Sequence, residues 1–277
     1  MRNAKIFSFV AAFIFSACFF ISCGGEVNAV SGFEPDFTVA SEGVFMINTD
    51  TDIVVLQKNA DKKFYPASTT KIMTCIVALE NISDLDQKVR ITYDATNEFW
   101  EGDPNKDGAG TCGIAVGQTN LTMRDCLYGL LVKSGCEAGN VIALNICDSI
   151  ADFVNLMNKK AAEIGCKDTH FGNTHGLWQT DNYSTPYDLY LIGRYAYDKV
   201  PQVIEIANQQ EIVMPENKYN PAPYTYVNVN SMIRNISNNT KKKYHNIINN
   251  MHKHHKDKPP ALILILKEDN ERNKVQE

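Results

Sequence analysis

The sequence has little of what several classes of protein require. Its 277 residues carry 27 Lys and Arg against 32 Asp and Glu, which argues against a general nucleic-acid binder, because phosphate binding needs a basic face. Sixteen Gly and ten Pro are too few for a low-complexity chain. No closely spaced cysteine pair suggests zinc, and no Gly-rich loop suggests phosphate binding or a nucleotide cofactor. What remains is an ordinary globular composition with enough residues for a sizeable core.

The N-terminus holds the one apolar run long enough to interact with a membrane. In residues 1–29, a short positive end is followed by an almost wholly apolar run over residues 6–21 and by a small-residue site that ends at Ala29. This layout predicts a secretory signal peptide and therefore an exported, extracytoplasmic protein of the cell envelope. Two alternatives stay open: an uncleaved anchor that attaches the chain to the membrane, or lipidation at Cys23.

The mature chain changes character near residue 240. Residues 30–240 carry 16 basic and 26 acidic side chains, a net charge of −10, whereas residues 241–277 carry 9 and 5, a net charge of +4. We therefore predict one globular domain at 30–240 and an atypical basic tail at 241–277. Six cysteines remain after cleavage of the signal, and disulfides or free buried thiols are equally compatible with that even count.

No metal site is predicted. Residues 103–108 begin like a calcium loop, but the twelfth position is Ile114 and not the bidentate Glu, so a polar turn is favoured. His170 and His175 are interpreted as structural turn residues, and the histidines of the tail are interpreted as a solvated stretch.

Apolar periodicity predicts a hairpin followed by helices and then by further strands. We expect the first and last strands to share one sheet, with a helical region between them. The predicted strands are residues 43–47, 53–56, 203–206, 210–214 and 224–229. The predicted helices are residues 72–79, 127–131, 141–150, 153–164 and 185–197, of which the first is expected to be central and buried.

A serine and a lysine three residues apart provide the main chemical signal. Within residues 66–74, Pro-Ala-Ser-Thr-Thr-Lys-Ile-Met-Thr, Ser68 and Lys71 would share one face of a helix. A hydroxyl becomes a good nucleophile only when a base takes its proton. Lys71 can serve as that base if burial lowers its pKa, and a buried apolar helix is the setting that does so.

A longer set of segments resembles one known family. Residues 66–74 after a hairpin resemble the nucleophile motif of serine penicillin-recognising enzymes, and the similarity is greatest to the low-molecular-weight D-alanyl-D-alanine carboxypeptidases of the peptidase S11 type. The resemblance covers roughly residues 40–235. Four further segments are also similar to the family, at residues 117–119, 127–135, 171–177 and 183–189.

This resemblance implies an α/β fold. A mainly antiparallel sheet would be flanked by helices, with an all-helical subdomain and with its last strands incomplete. It also implies a hydrolase that removes terminal D-Ala from peptidoglycan stem peptides and is inhibited by β-lactams. Ser68 would be acylated, Lys71 would be its base, and Ser134 would relay a proton to the leaving group. The backbone N–H of Ser68 would form half of the oxyanion hole.

Two departures from the family pattern stand out. The second motif normally ends in Asn, which binds substrate, but here it reads Ser134-Gly135-Cys136. A thiol is a weak hydrogen-bonding group, so we expect weaker substrate binding at Cys136 without loss of acylation. Cys136 is not favoured as a nucleophile, since no His is placed nearby in sequence to activate it. The third motif, Lys-Thr-Gly, which supplies a cation for the substrate carboxylate, is absent from this sequence.

Two other functions are alternatives to the carboxypeptidase. A β-lactamase would need a Glu-x-x-Leu-Asn segment after the second motif, and the sequence contains none. A non-catalytic penicillin-binding or cell-wall-binding remnant is favoured by the missing third motif and opposed by the intact Ser68, Lys71 and Ser134.

The resemblance stops after Tyr244, which leads to a hypothesis about the end of the chain. Our hypothesis is that the end of the chain is truncated or is read in the wrong frame after Tyr244. Translating the encoding DNA past this point in the other two frames should reveal a Lys-Thr-Gly, and its absence from every frame would overturn the hypothesis. If the end is genuine, residues 261–266 are expected to form one substitute strand that lacks the catalytic residues.

Overall fold

The computed structural model describes residues 41–49, 52–97, 109–234 and 262–266. The predicted signal peptide, the calcium-like loop at 103–108 and the histidines of the tail lie outside these residues. The strands are β1 (Gly43–Asn48), β2 (Ile53–Lys58), β3 (Glu211–Met214), β4 (Tyr224–Val227) and β5 (Leu262–Leu266). The helices are α1 (Thr70–Asn81), α2 (Tyr93–Asn97), α3 (Met123–Val132), α4 (Cys136–Ile146), α5 (Ile150–Ile164), α6 (Pro186–Lys199), α7 (Gln202–Ala207) and α8 (Ser231–Arg234).

The strands form two separate antiparallel sheets. In the first, the order is β2-β1-β5, so the predicted hairpin is confirmed and the substitute strand pairs with β1. Among the described residues, the second sheet consists of β3 and β4, and it packs against α3. The expectation that these later strands would join the hairpin sheet is therefore wrong for β3 and β4 and right for β5.

Helix α1 lies at the centre of the helical region, as its apolar pattern predicted. It packs against α3, α4, α5, α6 and α7. Met73 and Ile76 on this helix are completely buried, and Val77 is nearly so. Because apolar side chains cover most of the circumference of α1, the helix is stabilised by burial on several sides at once. The residues just before α1 are thereby held at a fixed position relative to the surrounding helices.

Side-chain caps fix where several helices begin. Thr122 and Asp125 form a reciprocal capping box at the start of α3. At the start of α6, Thr185 Oγ1 accepts from the backbone N–H of Asp188 at 3.0 Å, with Pro186 in the first turn. The predicted start of α6 is confirmed, whereas α3 and α4 each begin four or five residues earlier than the apolar pattern indicated.

Residues 203–206 are helical, and the prediction of a strand there is wrong. They form most of α7, which begins directly after Pro201. Their β-branched side chains favoured a strand. Val203 and Ile206 are, however, three residues apart and share the buried face of α7, where they contact the main core. Packing against α1, α3 and α6 therefore overrides the local preference.

The six cysteines in the described ranges are free thiols. Cys75, Cys112, Cys126 and Cys136 are buried, while Cys147 and Cys166 are partly exposed. Of the two readings left open by the cysteine count, the structure shows the free thiols. In the same ranges no single helix has the length and hydropathy of a membrane span, although the bent pair of α4 and α5 passes that test on length and composition.

One buried hydrogen bond joins α4 to the loop that precedes α6. Thr174 Oγ1 donates to Asn140 Oδ1 at 2.6 Å, and both side chains are almost fully buried. We predict that Thr174→Val lowers the free energy of unfolding by about 1–3 kcal/mol, because it leaves the Asn140 oxygen unpaired. Urea denaturation measures this loss. Thr225→Val, at an exposed position on β4, is the control; equal effects of the two substitutions would contradict the prediction.

Candidate active site

Ser68 and Lys71 contact each other at the N-terminal end of α1. Ser68 lies in a short 3-10 turn, Ala67–Thr69, which runs directly into the helix. Lys71 Nζ is 3.1 Å from Ser68 Oγ. Ser68 is exposed, whereas Lys71 retains only 2% of its exposure. The turn thus presents a hydroxyl to solvent and covers the amine behind it.

The Lys71 amine has three neighbours. One, Ser68, is close in sequence, and the other two come from distant parts of the chain. Besides Ser68, Nζ donates to the His175 carbonyl oxygen at 2.5 Å and lies 3.7 Å from Cys136 Sγ. Burial lowers the pKa of Lys71, and the nearby Cys136 and Glu137 oppose this shift in part. The site therefore favours the neutral amine more than water does.

A neutral amine offers these three neighbours a different set of groups from an ammonium. It has two N–H donors and one lone pair, whereas an ammonium has three donors and no lone pair. The carbonyl of His175 is an acceptor only, so it takes one N–H. In the structure Nζ is the donor to all three groups, Ser68 Oγ included. Loss of one proton would leave a lone pair for the hydroxyl proton of Ser68. This arrangement is that of a hydroxyl poised to lose its proton to an amine.

Cys136 lies against the lysine at the first residue of α4. Its side chain is 2% exposed, and its backbone N–H donates to the Gly110 carbonyl at 2.8 Å. Burial raises the pKa of the Cys136 thiol, although Lys71 acts in the opposite direction. The sequence predicted weak substrate binding at Cys136, and the contact of Sγ with Lys71 Nζ was not foreseen.

Ser134 lies in the turn between α3 and α4. Its backbone is left-handed, with φ of 57°, and its side chain is partly exposed. A Cβ on Gly110 would lie 2.7 Å from the Ser134 carbonyl oxygen, so this close approach requires glycine. In the described part of the chain no hydrogen bond joins the Ser134 hydroxyl to Ser68 or Lys71. The structure therefore places Ser68 and Cys136 in contact with Lys71. Ser134 lies two residues before Cys136 in the sequence.

The loop over residues 171–177 completes the site through its backbone. The Asn173 side chain accepts from the Gly176 N–H at 2.6 Å and donates to the Leu177 carbonyl at 2.9 Å. Thr74 of α1 donates to the Thr174 carbonyl at 2.6 Å, which fixes the loop to the helix. Hydrogen bonds before and after His175 in the loop therefore position the carbonyl that accepts from Lys71.

His175 provides this carbonyl while its imidazole is buried. Burial, with a further contribution from Lys71, lowers the pKa of His175 to about 3, so the ring is neutral near pH 7. Its Nδ1 accepts from the Leu177 N–H at 3.1 Å. The interpretation of His175 as a turn residue agrees with this arrangement, but its contact with Lys71 was missed, because a backbone carbonyl has no signature in a side-chain pattern.

Comparison with known proteins places the chain in a family. The profile of the peptidase S11 family, described as D-alanyl-D-alanine carboxypeptidase, matches residues 29–243. This match covers most of the chain, which therefore belongs to that family. It ends next to Tyr244, where the resemblance seen in the sequence also stops.

Individual relatives are similar over part of their length. The chain is 29% identical over 198 residues to D-alanyl-D-alanine carboxypeptidase DacF of Bacillus subtilis, covering 70% of this chain and 48% of the relative. It is 32% identical over 156 residues to the D-alanyl-D-alanine carboxypeptidase of Streptomyces strain K15, covering 54% and 52%. The chain thus spans about half the length of these curated relatives.

Solved structures show the same fold. The crystal structure of the Streptomyces K15 DD-transpeptidase matches with a TM-score of 0.63 at 28% identity, over 74% of this chain and 79% of that one. Penicillin binding protein 5 from Haemophilus influenzae matches with a TM-score of 0.63 at 22% identity, over 73% and 56%. The predicted fold class, an antiparallel sheet with helices and a helical subdomain, is confirmed.

Gly176 packs directly against the turn that carries Ser68. Its φ is +82°, and a Cβ there would lie 1.8 Å from the Ala67 carbonyl oxygen. Gly165, the C-cap of α5, has φ of +101° and open space around it. We predict that Gly176→Ala lowers the free energy of unfolding by about 1–3 kcal/mol more than Gly165→Ala does, because only Gly176→Ala adds a clash to the backbone strain.

Urea denaturation of the two variants measures this difference directly. Equal losses would show that the nucleophile turn does not rest on the backbone at position 176.

Proposed function

We propose that this chain acts as a serine D-Ala-D-Ala carboxypeptidase on peptidoglycan stem peptides. The observation that carries the proposal is the exposed Ser68 hydroxyl in contact with the buried Lys71 amine, in a chain that belongs to the peptidase S11 family. The names of the relatives support the same reaction. Neither a metal nor another cofactor is required, because the hydroxyl and amine together supply a nucleophile and a base.

Ser68 is the nucleophile in this proposal, and Lys71 accepts its proton. Attack of Ser68 Oγ on the carbonyl carbon between the two D-Ala residues forms a tetrahedral intermediate, and its collapse releases D-Ala and leaves the acyl group on Ser68. Water then attacks the ester and regenerates the hydroxyl. The backbone N–H of Ser68, at the start of α1, supplies half of the oxyanion hole.

Ser134 and Cys136 contribute to the site from the turn between α3 and α4 and from the first residue of α4. Ser134 passes the proton that Lys71 took from Ser68 to the leaving amine of D-Ala. This requires the partly exposed Ser134 hydroxyl to come within hydrogen-bonding distance of Lys71 Nζ and of that amine. Cys136 acts through Lys71, since its sulfur contacts Nζ and its thiol is buried. Support comes from two solved variants of the Streptomyces K15 DD-transpeptidase. One has a serine replaced by alanine, and the other has the cysteine two residues later replaced by alanine. Ser134 and Cys136 have this same spacing.

The location of the protein follows from the same proposal. A peptidoglycan substrate lies outside the cytoplasmic membrane, which agrees with a signal peptide over residues 1–29. Cleavage after Ala29 would release the chain, and lipidation at Cys23 or retention of the apolar run would attach it to the membrane. The domain at 30–240 contains every residue to which we assign a role.

A β-lactam tests the site directly, since its strained amide is an acyl donor to the same nucleophile. We expect the purified mature chain to gain the mass of one β-lactam, and Ser68→Ala to abolish this gain. The rate of adduct formation should rise with pH through the pKa of Lys71, which burial places below the usual 10.5, because only the neutral amine accepts the proton. Intact-mass spectrometry over time measures both effects.

Ser231→Ala is the matched control, because Ser231 is exposed on α8. An adduct that persists in Ser68→Ala would overturn the role of Ser68. A folded chain that forms no adduct would favour the alternative function, a cell-wall-binding remnant without turnover, for which the absence of Lys-Thr-Gly is the reason. If the adduct forms, release of D-Ala from a D-Ala-D-Ala peptide decides whether the acyl-enzyme turns over.

A further inference from the structure

A cavity lies next to the N-terminal end of α4, where Glu137 follows Cys136. Its volume is about 630 Å³, within the range of cavities that hold small ligands. The described residues that line it come from α2, from the segment over residues 111–116, from the start of α4 and from the loop at 218–219. Neither Ser68 nor Lys71 is among them, so the cavity is separate from the nucleophile.

Glu137 contributes a buried carboxylate to this cavity. It is 3% exposed, and its Oε1 accepts from the backbone N–H groups of Cys112 and Gly113 at 2.7 and 2.8 Å. Its Oε2 is buried and has no hydrogen-bond partner of normal geometry among the described residues. The Cys112 thiol lies next to the carboxyl, but a thiol is only a weak donor. Most buried carboxylate oxygens in proteins are paired. An orphaned oxygen on the wall of a cavity therefore points to a ligand that donates a hydrogen bond.

A cationic donor would stabilise the charged form of Glu137 more than a neutral donor would. Burial raises the pKa of this carboxyl, against the two N–H donors that hold it down. A bound ammonium would supply the opposite charge that the buried carboxylate lacks, as well as the missing hydrogen bond. A hydroxyl would supply only the hydrogen bond.

Lys218 provides the opposite charge on the same cavity. Its amine lies 4.8 Å from the centre of the Tyr219 ring, and it is the only other charged side chain in the described lining. Tyr93 and Tyr219 are both exposed at the rim. A ligand with an ammonium alone would be repelled at the Lys218 end, whereas a ligand with both charges would be attracted at each end.

We propose that this cavity binds an amino-acid zwitterion, with its ammonium on Glu137 and its carboxylate on Lys218. This inference rests on the proposed function, because peptides and free D-Ala are what that reaction brings to the site. The zwitterion could be the free amino acid or one borne on a peptide side chain. The volume favours the peptide, since a single alanine would fill only a small part of the cavity.

The position of Glu137 connects this cavity to the catalytic groups. Glu137 directly follows Cys136, whose sulfur contacts Lys71 Nζ. It also holds the N–H groups of Cys112 and Gly113, next to the Gly110 carbonyl that binds the Cys136 N–H. A ligand on Glu137 would therefore bind against the same backbone that positions Cys136.

Isothermal titration calorimetry on the full mature chain tests the proposal with three probes. The first is mono-N-acetyl-2,6-diaminoheptanedioic acid, which keeps one free zwitterion. The second is the di-N-acetyl compound, which has no ammonium, and the third is D-alanine. We expect the first probe to bind at least tenfold more tightly than the second. D-alanine binding as tightly as the first probe would identify the free amino acid as the ligand.

Two variants and one control complete the test. Glu137→Gln keeps an oxygen for the two backbone N–H groups and should weaken binding of the first probe at least tenfold. Lys218→Met changes an exposed side chain, so it leaves the fold intact, and should weaken binding severalfold. Glu163→Gln, on α5 away from the cavity, should leave binding unchanged. Equal binding of the first two probes, or no effect of either variant in a folded chain, would overturn the proposal.

The β-lactam adduct, measured on the same samples, separates the two proposals. An adduct without probe binding would remove the cavity proposal and leave the carboxypeptidase. Probe binding without an adduct would remove the carboxypeptidase and leave the cavity as an amino-acid site.

Discussion

The removal of the Lys71 amine from water is the constraint on which the candidate site depends. Burying an ammonium costs several kcal/mol unless it is paired with an opposite charge, and here the nearest groups to Nζ are a hydroxyl, a thiol and a carbonyl. Burial therefore lowers the pKa of Lys71 and favours the neutral amine, the form that can accept a proton from Ser68.

The backbone around this amine is arranged at a cost in conformational strain. Ala67 and Ser134 both have positive φ, which costs about 1–2 kcal/mol for each residue that is not glycine. Strain of this kind persists only where the surrounding structure fixes it. Here Gly176 packs against the carbonyl of Ala67, and the backbone of Cys136, two residues beyond Ser134, is held by the carbonyl of Gly110. Ala67 directly precedes the proposed nucleophile, and Ser134 is itself one of the groups proposed to act on substrate.

Local pattern was enough to predict some parts of the structure and not others. The hairpin of β1 and β2, the buried α1 and the contact of Ser68 with Lys71 follow from spacing within a few residues. The strand predicted at 203–206 failed because packing against three helices outweighs β-propensity. The contacts of Lys71 with Cys136 and with the His175 carbonyl depend on the tertiary fold, and no spacing in the sequence encodes them.

The contacts of Lys71 also affect the order of events during folding. Its partners Cys136 and His175 are 65 and 104 residues away along the chain, and the Tyr65 hydroxyl donates to the Gly176 carbonyl 111 residues away. Contacts at such separations carry a loop-closure entropy that local structure does not, so they form late. A nascent chain that has emerged only through α5 has its serine and lysine but not the carbonyl that orients the amine. The site is therefore incomplete until residues 171–177 have folded against α1.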